Sequence, residues 1–482
     1  MPAASTPPTG SLTPAEVGDS QANSDQVYIG ETGHYIRQPF LNFWRDNGAY
    51  RVFGYPLSEV FEQNGLQVQL FDQALLEYHP DQVNKVQLGF LGKQLADAQS
   101  QTFPDAVKNA FKALPPGSVT GTGEHYFNET GHFLKGAFNE FWVKNELLKF
   151  LGLPISEEIN QANGLKVQYF ERGRLEYNSI TQKIDYSNSG DLLVAARGWK
   201  QPGRFALELQ NTSDDSYTGF KIDQGRTFVV KLKSDGQILP AKVKATFNNI
   251  GLKFAQVNQD FVVFVPVDPS LPPGSYHLAI TFLDEDGLSR QINREVQVIT
   301  HDYGTQNVEL PSSESYLSDH TADDHDDARL ATQYQLFTTL KMWSGKWQWP
   351  LQDDWVQTTN FAQRRILNGQ LDTLYYHGGL DLAPASGVEG DPVYAAAPGK
   401  VVFVDQLEAR GLSVVLDHGL GVTSYYFHLS GAKVLVGQQL KEGDLLGNVG
   451  SSGRATGPHL HWEVRVQGII TDPRSFIRND LG

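Results

Sequence analysis

A pair of histidines near the C-terminus is the first feature of this sequence that could do chemistry. They lie in GPHLHWEVRV, where polar and apolar residues alternate as they do in a half-buried β-strand. Side chains of a strand alternate between its faces, so His459, His461, Glu463 and Arg465 are predicted to share one polar face. Neighbouring imidazoles on that face would stand roughly 7 Å apart. One of them could therefore bind a metal ion while the other acts beside it.

Two further polar clusters interrupt apolar segments upstream of this strand. YYHGGLDLAPASG places His377 four residues before Asp381, and the glycines between them permit a tight, non-helical approach to an ion. VTSYYFHLS is a second predicted strand, with Ser424, Tyr426 and His428 on a common face. Tyr426 is either a hydrogen-bond donor in the reaction or a residue packed beside the groove. Together the three clusters indicate one site rather than isolated histidines.

In their order along the chain, these segments closely resemble the lysostaphin-type (LytM-like) zinc endopeptidases, which cleave the peptides of peptidoglycan. The resemblance extends from Trp349 to Ile477. It rests on HGGLD from His377, DPVYAAAPGKVV from Asp391, LDHGLGVTSYYFHLS from Leu416, VGQQLKEGDLLGNVGSSGRATGPHLHWEVR from Val436 and DPRSFI from Asp472. Two loops depart from the family pattern, because FAQRR stands where FGxRR is usual and GSSGRATG replaces the common GSTG. The resemblance implies a C-terminal antiparallel β-sheet peptidase domain.

The resemblance also assigns roles residue by residue. His377, Asp381 and His461 correspond to the zinc ligands, and His428 and His459 correspond to the catalytic histidines. None of these five positions is substituted. One catalytic histidine is expected to act as general base toward water and the other to stabilise the developing oxyanion, with the choice between them open. The implied cofactor is Zn2+.

The chemistry of this set is also consistent without the resemblance. The chain contains no cysteine, so thiolate metal sites and disulfides are excluded. Two imidazoles and a carboxylate leave one position on tetrahedral zinc for water or a carbonyl, as in catalytic sites. No HExxH motif is present, so a histidine must take the proton that a glutamate takes in thermolysin-like enzymes. Glu463 and Arg465 are interpreted as second-layer or surface residues, with the surface favoured, and His418 as structural.

Composition limits the classes of partner. The formal net charge of the 482 residues is -16 and no run of Lys and Arg offsets it, so nucleic acid is not expected to bind. No stretch of about eighteen apolar residues is present, so no transmembrane segment is predicted. The first residues lack the basic start and apolar core of a signal peptide. An extracellular or cell-wall-associated location is therefore expected from function alone.

An internal repeat occupies the N-terminal part of the chain. ETGHYIRQPFLNFW from Glu31 recurs as ETGHFLKGAFNEFW from Glu129, and NGLQVQLFDQALLEY from Asn64 recurs as NGLKVQYFERGRLEY from Asn163. Each copy predicts a short helix, a Gly-Pro turn (FGYPLSE or LGLPISE) and a hairpin. The repeat resembles the LGFP-type repeats of bacterial surface proteins, which implies association with the bacterial cell wall.

The aromatic and histidine residues that recur in the two copies have two interpretations. Trp44 and Trp142 belong either to the core of each module or to a ligand surface, and the core is favoured because large aromatic side chains are mostly buried. His34 and His132 each follow a glycine in a predicted turn. That position favours a structural hydrogen bond over a role as ligand.

The remaining segments complete a multidomain, mainly β chain. Alternating strands separated by SDG, PPG and EDG turns predict an immunoglobulin-like β-sandwich that acts as a spacer. The run HTADDHDD from His320 lacks the ligand spacing of a calcium loop and is predicted to be a solvated acidic loop. The predicted division is a flexible tail (1–26), two α+β repeat modules (27–98 and 124–188) joined by a connector (99–123), the sandwich (191–301), an acidic connector (302–348) and the zinc endopeptidase domain (349–482).

The function predicted from these features is zinc-dependent endopeptidase activity on bacterial peptidoglycan, with the N-terminal modules holding the enzyme on the wall. The main alternative is a non-catalytic wall-binding or regulatory protein built on a peptidase scaffold. Loss of a ligand or catalytic histidine would indicate that alternative, and all five residues are present. A metallopeptidase that acts on proteins is a third hypothesis. The bond cleaved, whether a glycine bridge or a stem-peptide cross-link, stays open.

Overall fold

The structure is a computed structural model that describes residues 15, 25–116, 121, 123–161, 163–199, 203–216, 219–234, 242–284, 286–308, 320–352, 354–367, 370–479 and 481. The tail predicted for residues 1–26 lies outside this range, apart from residues 15, 25 and 26. Strands account for 43% of the residues and helices for 16%, which confirms the mainly β class. The chain forms two compact units, one of residues 1–204 with 286–291 and one of residues 205–285 with 292–482. Within the described ranges, no helix has the length and apolarity needed to span a membrane.

The first unit contains two segments with the same order of elements. Each has a two-stranded hairpin, two short helices, a four-stranded antiparallel sheet and a final helix. The first segment comprises β1 (Gln26–Ile29), β2 (His34–Arg37), α1 (Phe40–Asp46), α2 (Tyr50–Phe53), β3 (Phe61–Gln63), β4 (Leu66–Leu70), β5 (Leu75–Tyr78), β6 (Val86–Leu88) and α3 (Leu91–Gln99). After α4 (Asp105–Ala110), the second comprises β7 (Glu124–Phe127), β8 (His132–Lys135), α5 (Gly136–Lys144), α6 (Leu148–Leu151), β9 (Ile159–Asn160), β10 (Leu165–Phe170), β11 (Gly173–Asn178), β12 (Lys183–Tyr186) and α7 (Ser189–Ala196).

A buried glutamine ties the hairpin to the sheet in both segments. The Nε2 atom of Gln69 donates to the carbonyl oxygens of Tyr35 and Ser58 at 2.7 and 2.9 Å. Gln168 makes the same two bonds at 2.7 and 2.8 Å, to the residues Phe133 and Ser156. Each bond gives a buried backbone carbonyl a hydrogen-bond donor. The same pair of hydrogen bonds therefore stabilises each segment internally.

The aromatic and histidine residues of the repeat are mostly enclosed. Trp44 lies in the core with 2% of its surface exposed, and Trp142 is partly buried against Phe127. His132 lies 3.4 Å from a carboxylate oxygen of Glu157, and His34 is fully buried. Burial lowers the pKa of His34, so its imidazole is neutral near pH 7. These positions support the structural interpretation of Trp44 and both histidines.

The final helix of each segment packs on the sheet of the other segment. A Cβ atom at Gly92, in α3, would lie 1.9 Å from the carbonyl oxygen of Phe170. A Cβ atom at Gly190, in α7, would lie 2.0 Å from the carbonyl oxygen of Phe71. Only glycine allows this approach of a helix to a backbone carbonyl. The two segments are thus interlocked within one unit.

The second unit begins with two sheets that enclose a common apolar core. Their strands are β13 (Phe205–Gln210), β14 (Ser213–Ser216), β15 (Gly219–Asp223), β16 (Thr227–Ser234), β17 (Val243–Phe247), β18 (Ile250–Leu252), β19 (Ala255–Val257), β20 (Asp260–Pro266), β21 (Gly274–Leu283) and β22 (Ser289–Ile299). The strand orders are β13-β16-β20-β19 and β14-β15-β22-β21-β17-β18. Alternate residues of the strands, such as Phe228, Val263 and Ile280, fill the space between the sheets.

The C-terminal part is built on a large antiparallel sheet with the order β24-β27-β34-β31-β30-β29-β32. Its elements are β23 (Thr305–Val308), α8 (Thr321–Tyr334), β24 (Trp355–Thr359), β25 (Arg364–Leu367), β26 (Gln370–Tyr376), β27 (Leu380–Pro384), β28 (Pro392–Tyr394), β29 (Gly399–Gln406), β30 (Leu412–Gly419), β31 (Val422–Ala432), β32 (Gln439–Leu440), β33 (Leu445–Val449), β34 (Leu460–Val466), β35 (Ile469–Thr471) and α9 (Arg474–Arg478). Both strands predicted to carry site residues, β31 and β34, are central and adjacent.

The acidic segment after His320 is a helix, so the prediction of a solvated loop is wrong. It forms α8, in which Asp323, Asp326 and Leu330 are buried while Asp324 is exposed. Acidic residues in a first helical turn favour helix formation through the helix dipole. A run of aspartates by itself predicts solvent exposure. The groups that bind the buried Asp326 lie far away in the sequence, so they could not be anticipated.

The segment predicted to be a spacer shares an apolar core with the C-terminal sheet. The ring of Phe264, in β20, lies 5.5 Å from the ring of Trp343 and 6.5 Å from that of Phe476. The hydroxyls of Thr227 and Thr471 are 2.9 Å apart in a buried contact. This packing fixes the first sheet of the second unit against the elements that carry the candidate site.

Candidate metal centre

Two site residues face each other across adjacent strands. Asp381, in β27, is the direct register partner of His461, in β34. Opposite residues of an antiparallel pair point to the same face of the sheet, so both side chains reach the same side. The Nδ1 atom of His461 lies 2.9 Å from Oδ1 of Asp381. Cross-strand register therefore brings together two of the three predicted ligands.

His377 reaches the same carboxylate from the turn before β27. Its Nδ1 atom donates to the carbonyl oxygen of Asn360 at 2.8 Å, and its Nε2 atom lies 2.9 Å from Oδ1 of Asp381. The turn depends on close packing, because a Cβ atom at Gly379 would lie 2.3 Å from the carbonyl oxygen of Trp462. The glycines of HGGLD thus permit the tight approach predicted from the sequence.

The three residues His377, Asp381 and His461 fit a metal ion. Their ligand atoms all lie within 4.8 Å of one another, and all three residues are buried. Because a carbonyl oxygen only accepts, His377 must carry its proton on Nδ1, and its Nε2 lone pair then faces a carboxylate oxygen. Two lone pairs in contact require a cation or a proton between them. The donor set of two imidazoles and one carboxylate is one that Zn2+ takes in catalytic sites.

The electrostatics of this cluster favour positive charge. Burial alone would raise the pKa of Asp381, but the neighbouring His377 and His461 outweigh it and hold this pKa well below its usual range. Burial likewise opposes protonation of His461, yet hydrogen bonds and charges from Asp381 and Glu463 raise its pKa to about 9. Both shifts favour a positive charge beside an ionised carboxylate.

Glu463 lies behind His461 and not on the surface. It is buried, with its carboxylate 3.7 Å from Nε2 of His461 and in contact with Nε of Arg465. Burial would raise its pKa, but the charge of Arg465 and the contact with His461 lower it to about 2. The surface interpretation of Glu463 is thus wrong, and the second-layer interpretation fits its position. An ionised Glu463 orients the imidazole so that Nδ1 faces the cluster.

His428 and His459 lie next to each other beside this cluster. Their ring centroids are 4.7 Å apart, and Nε2 of His459 lies 3.7 Å from Oδ1 of Asp381. Each Nδ1 atom donates to a backbone carbonyl at 2.9 Å, that of Ser452 for His428 and that of Gly457 for His459. Burial and the charges of neighbouring imidazoles lower the pKa of His428 to about 3. His428 is therefore a neutral imidazole whose Nε2 atom remains for a proton or a hydrogen bond.

Tyr426 and Ser424 do not share a face with His428, so that prediction is wrong. Tyr426 pairs with Trp462 across β31 and β34 and is buried in the core, where its hydroxyl accepts from the backbone N–H of Ala396 at 3.0 Å. His428 escapes the alternation because its φ angle is 62°, in the left-handed region. The proposed donor role of Tyr426 has no geometric support. No sequence signal identifies a left-handed histidine within a strand.

His418 is structural, as predicted. It is fully buried, with Nδ1 donating to the carbonyl oxygen of Pro398 at 2.7 Å and Nε2 within 2.7 Å of the hydroxyl of Ser424. Burial lowers its pKa to about 4. Its ring also packs 4.5 Å from that of Trp347. Both nitrogens are therefore occupied away from the candidate metal site.

All five predicted residues line one groove of about 550 Å3. The groove contains residues that sequence reasoning missed, among them Phe427, Asp323, Arg410 and Arg454. Phe427 is the register partner of His461, and its ring lies 5.6 Å from that imidazole. Asp323 lies in α8, about fifty residues before His377, the first predicted ligand. Only folding brings these residues to the groove.

Comparisons with known proteins support this assignment for the C-terminal part. Residues 375–473 match the model of Peptidase family M23. The DD-carboxypeptidase/endopeptidase Mpg of Neisseria meningitidis is 39% identical over 105 residues, which are 22% of this chain and 24% of that protein. The peptidoglycan DD-endopeptidase ShyA of Vibrio cholerae is 36% identical over 121 residues, or 25% of this chain and 27% of that protein.

A third relative is named as an activator of hydrolases and not as a peptidase. The murein hydrolase activator EnvC of Escherichia coli is 40% identical over 89 residues, which are 18% of this chain and 21% of that protein. The matches thus span about a quarter or less of each of these relatives. The matched range nevertheless contains all five predicted site residues. Residues 375–473 of this chain therefore form a Peptidase family M23 domain.

Proposed function

We propose that this protein is a zinc-dependent endopeptidase that hydrolyses peptide bonds of bacterial peptidoglycan. The observation that carries the proposal is the convergence of His377 Nε2 and His461 Nδ1 on one carboxylate oxygen of Asp381, each at 2.9 Å, inside the groove. The names of the M23 relatives, which include a peptidoglycan DD-endopeptidase, support the class of substrate. His377, Asp381 and His461 would hold the metal.

The two remaining histidines supply proton transfer in this proposal. When bound, zinc would polarise the scissile carbonyl and lower the pKa of a water molecule. Both His428 and His459 have Nδ1 occupied by a backbone carbonyl, so Nε2 is the atom that moves or shares a proton. One imidazole accepts the proton of the attacking water at Nε2. The other, when protonated at both ring nitrogens, donates from Nε2 to the oxygen that gains negative charge.

We further propose that the N-terminal modules hold the enzyme on the bacterial cell wall. The sequence repeat, the LGFP resemblance and the common order of elements in residues 27–98 and 124–188 support this role. Tethering raises the local concentration of substrate. The two sheets of residues 205–299 are consistent with an immunoglobulin-like sandwich. Activity on the wall would require an extracellular or cell-wall-associated location.

A regulatory protein without peptidase activity is the second candidate function. The relative named as a murein hydrolase activator favours it. The presence of both proposed catalytic histidines and all three proposed ligands argues for the enzyme instead.

Digestion of purified peptidoglycan distinguishes the candidates. The zinc-loaded chain should release fragments with new amino termini, and mass spectrometry of those termini identifies the bond cleaved. A His459→Ala chain is the matched control for contaminating hydrolases. New termini that appear only on unrelated protein substrates would indicate a general metallopeptidase. No new termini on either substrate, from a folded and zinc-loaded chain, would favour the regulatory function.

A further inference from the structure

The buried aspartate of α8 binds a loop of the large sheet through three backbone amides. Asp326 is fully buried, and its Oδ1 atom accepts from the N–H of Glu408 at 2.8 Å. Its Oδ2 atom accepts from the N–H groups of Ala409 and Arg410, both at 2.9 Å. These residues belong to the loop between β29 and β30. One side chain of α8 therefore satisfies three consecutive amides that no strand partner satisfies.

This contact is stronger than an ordinary helix-to-loop contact. Hydrogen bonds to an ionised carboxylate are shorter and stronger than those between neutral groups. The charge of Arg410 also lies close, with Nη1 3.9 Å from Oδ2 of Asp326. Two ion pairs flank the anchor, because Asp327 binds Arg410 at 2.8 Å and Asp323 contacts Arg454. The helix thus holds the groove-lining residues Arg410 and Arg454 from one side.

The loop anchored by Asp326 in turn holds His428. The carbonyl oxygen of Arg410 accepts from the backbone N–H of His428 at 2.9 Å. The N–H of Leu412 donates to the hydroxyl of Ser452 at 2.9 Å, and the carbonyl oxygen of Ser452 accepts from Nδ1 of His428. The backbone of His428 is therefore bound to the anchored loop itself, and its imidazole is bound to Ser452, which is contacted by Leu412, the residue that begins β30 directly after that loop.

His428 needs such support because its backbone is strained. Its φ angle of 62° is unfavourable for a residue with a Cβ atom, and such angles persist only where the surroundings impose them. Without this angle, the alternation of β31 would direct the side chain into the core beside Tyr426 and away from the groove. The contact from Arg410 is made at the strained residue itself.

We propose that Asp326 is a positioning residue for the peptidase reaction: by anchoring residues 408–410, it holds the His428 imidazole in the groove. The inference rests on the proposed function, since it assigns His428 a part in catalysis. Asp326 then supports a proposed catalytic histidine, although the sequence places its helix in a connector.

The test uses the full-length, zinc-loaded chain with the variant Asp326→Asn. This change keeps the shape of the side chain, removes its charge and turns an NH2 group toward amide donors. We expect kcat on soluble peptidoglycan fragments to fall at least about tenfold, because small misplacements of a reacting group can cost about a hundredfold. KM and zinc content should stay unchanged. Amide hydrogen exchange over residues 406–412 should become faster.

The control is Asp324→Asn, an exposed aspartate of the same helix, which should change none of these quantities. Wild-type kcat and exchange in Asp326→Asn would overturn the proposal, as would a loss of zinc that accounts for the whole fall in rate. If Asp326→Asn does not fold, Asp326→Glu takes its place, with a smaller fall in kcat and the same faster exchange expected. Wild-type behaviour of that variant would also overturn it. A wild-type chain that cuts no fragments would refute the proposed function, whereas the exchange comparison would still decide whether Asp326 anchors the loop.

Discussion

Phe427 and His428 are neighbours in one strand, yet both side chains line the same groove. Strand geometry would place them on opposite faces, and the left-handed φ angle of His428 returns its imidazole to the side of Phe427. The register partner of Phe427 is His461, so the break in alternation brings His428 beside the proposed metal ligands. Its ring centroid lies 6.2 Å from that of His461.

The protein should bind one zinc ion per chain. His377, Asp381 and His461 form the only group of three potential ligands found among the described residues, and cysteine is absent from the sequence. Metal analysis of the dialysed protein should give one zinc per chain, and a strong chelator should abolish cleavage of peptidoglycan. Full activity of a folded preparation that contains no divalent metal would exclude the proposed mechanism.

The five proposed site residues should separate into two classes on substitution. Replacing His377, Asp381 or His461 by Ala removes a proposed ligand, so zinc content and activity should fall together. His459→Ala and His428→Ala should keep their zinc but lose about a hundred- to ten-thousand-fold in rate, because a proton-transfer group is missing. Zinc stoichiometry and turnover are measured for all five variants. Zinc loss in His459→Ala together with full zinc and activity in His461→Ala would reverse the assignment.

Glu463→Gln should weaken zinc binding without removing a ligand. The buried carboxylate lies 3.7 Å from Nε2 of His461 and contacts Arg465, so its loss leaves both groups poorly paired. Loss of such an outer partner commonly lowers metal affinity about ten- to a hundredfold. Competition with a metal-binding dye measures the affinity. The exposed Glu442 supplies the control, since Glu442→Gln should bind zinc as the wild type does.

The buried His418 should make the second unit less stable at acidic pH. Its pKa is lowered by burial from 6.5 to about 4, so between these values the unfolded state binds a proton that the folded state does not. The stabilisation is complete above pH 6.5 and is lost as the pH falls toward 4, a change of roughly 3 kcal/mol. Urea unfolding at several pH values, followed by tryptophan fluorescence, should show this loss in the wild type.

The matching variant is His418→Gln, which should be less stable at pH 7 and should lack this component of the pH dependence. His325→Gln is the control, because His325 is exposed and should leave the pH dependence below pH 6.5 largely intact. Equal pH profiles for the wild type and His418→Gln would contradict the prediction.

The N-terminal unit should bind cell walls without cutting them. Helix α7 packs against Phe71 through Gly190, so the fragment to test includes residues 25–204 and not only the two predicted modules. It should sediment with insoluble wall material, while residues 205–482 should cut soluble fragments but lyse intact walls more slowly. A fragment 25–204 that stays in the supernatant, with unchanged lysis by residues 205–482, would exclude the targeting role.

Much of the candidate site follows from local rules that the sequence carries by itself. Alternation from residue 459 through β34 predicts His459, His461 and Glu463 on one face, and all three line the groove. The glycines of HGGLD predict the tight turn that brings His377 to Asp381. These features depend on residues a few positions apart, for which strand period and glycine geometry are sufficient.

The tertiary structure decided what depends on distant partners. The aspartates of α8 were predicted to lie in a solvated loop. Their neighbours in the sequence give no sign that the backbone amides of residues 408–410 bind one of them. Tyr426 was predicted to lie at the groove because the two-residue alternation of side chains in a strand does not include the left-handed φ angle at His428. A strained backbone and a buried carboxylate are both unfavourable alone and persist only through contacts made on folding. For that reason, the orientation of His428 and the place of α8 were determined by the folded chain and not by its local pattern.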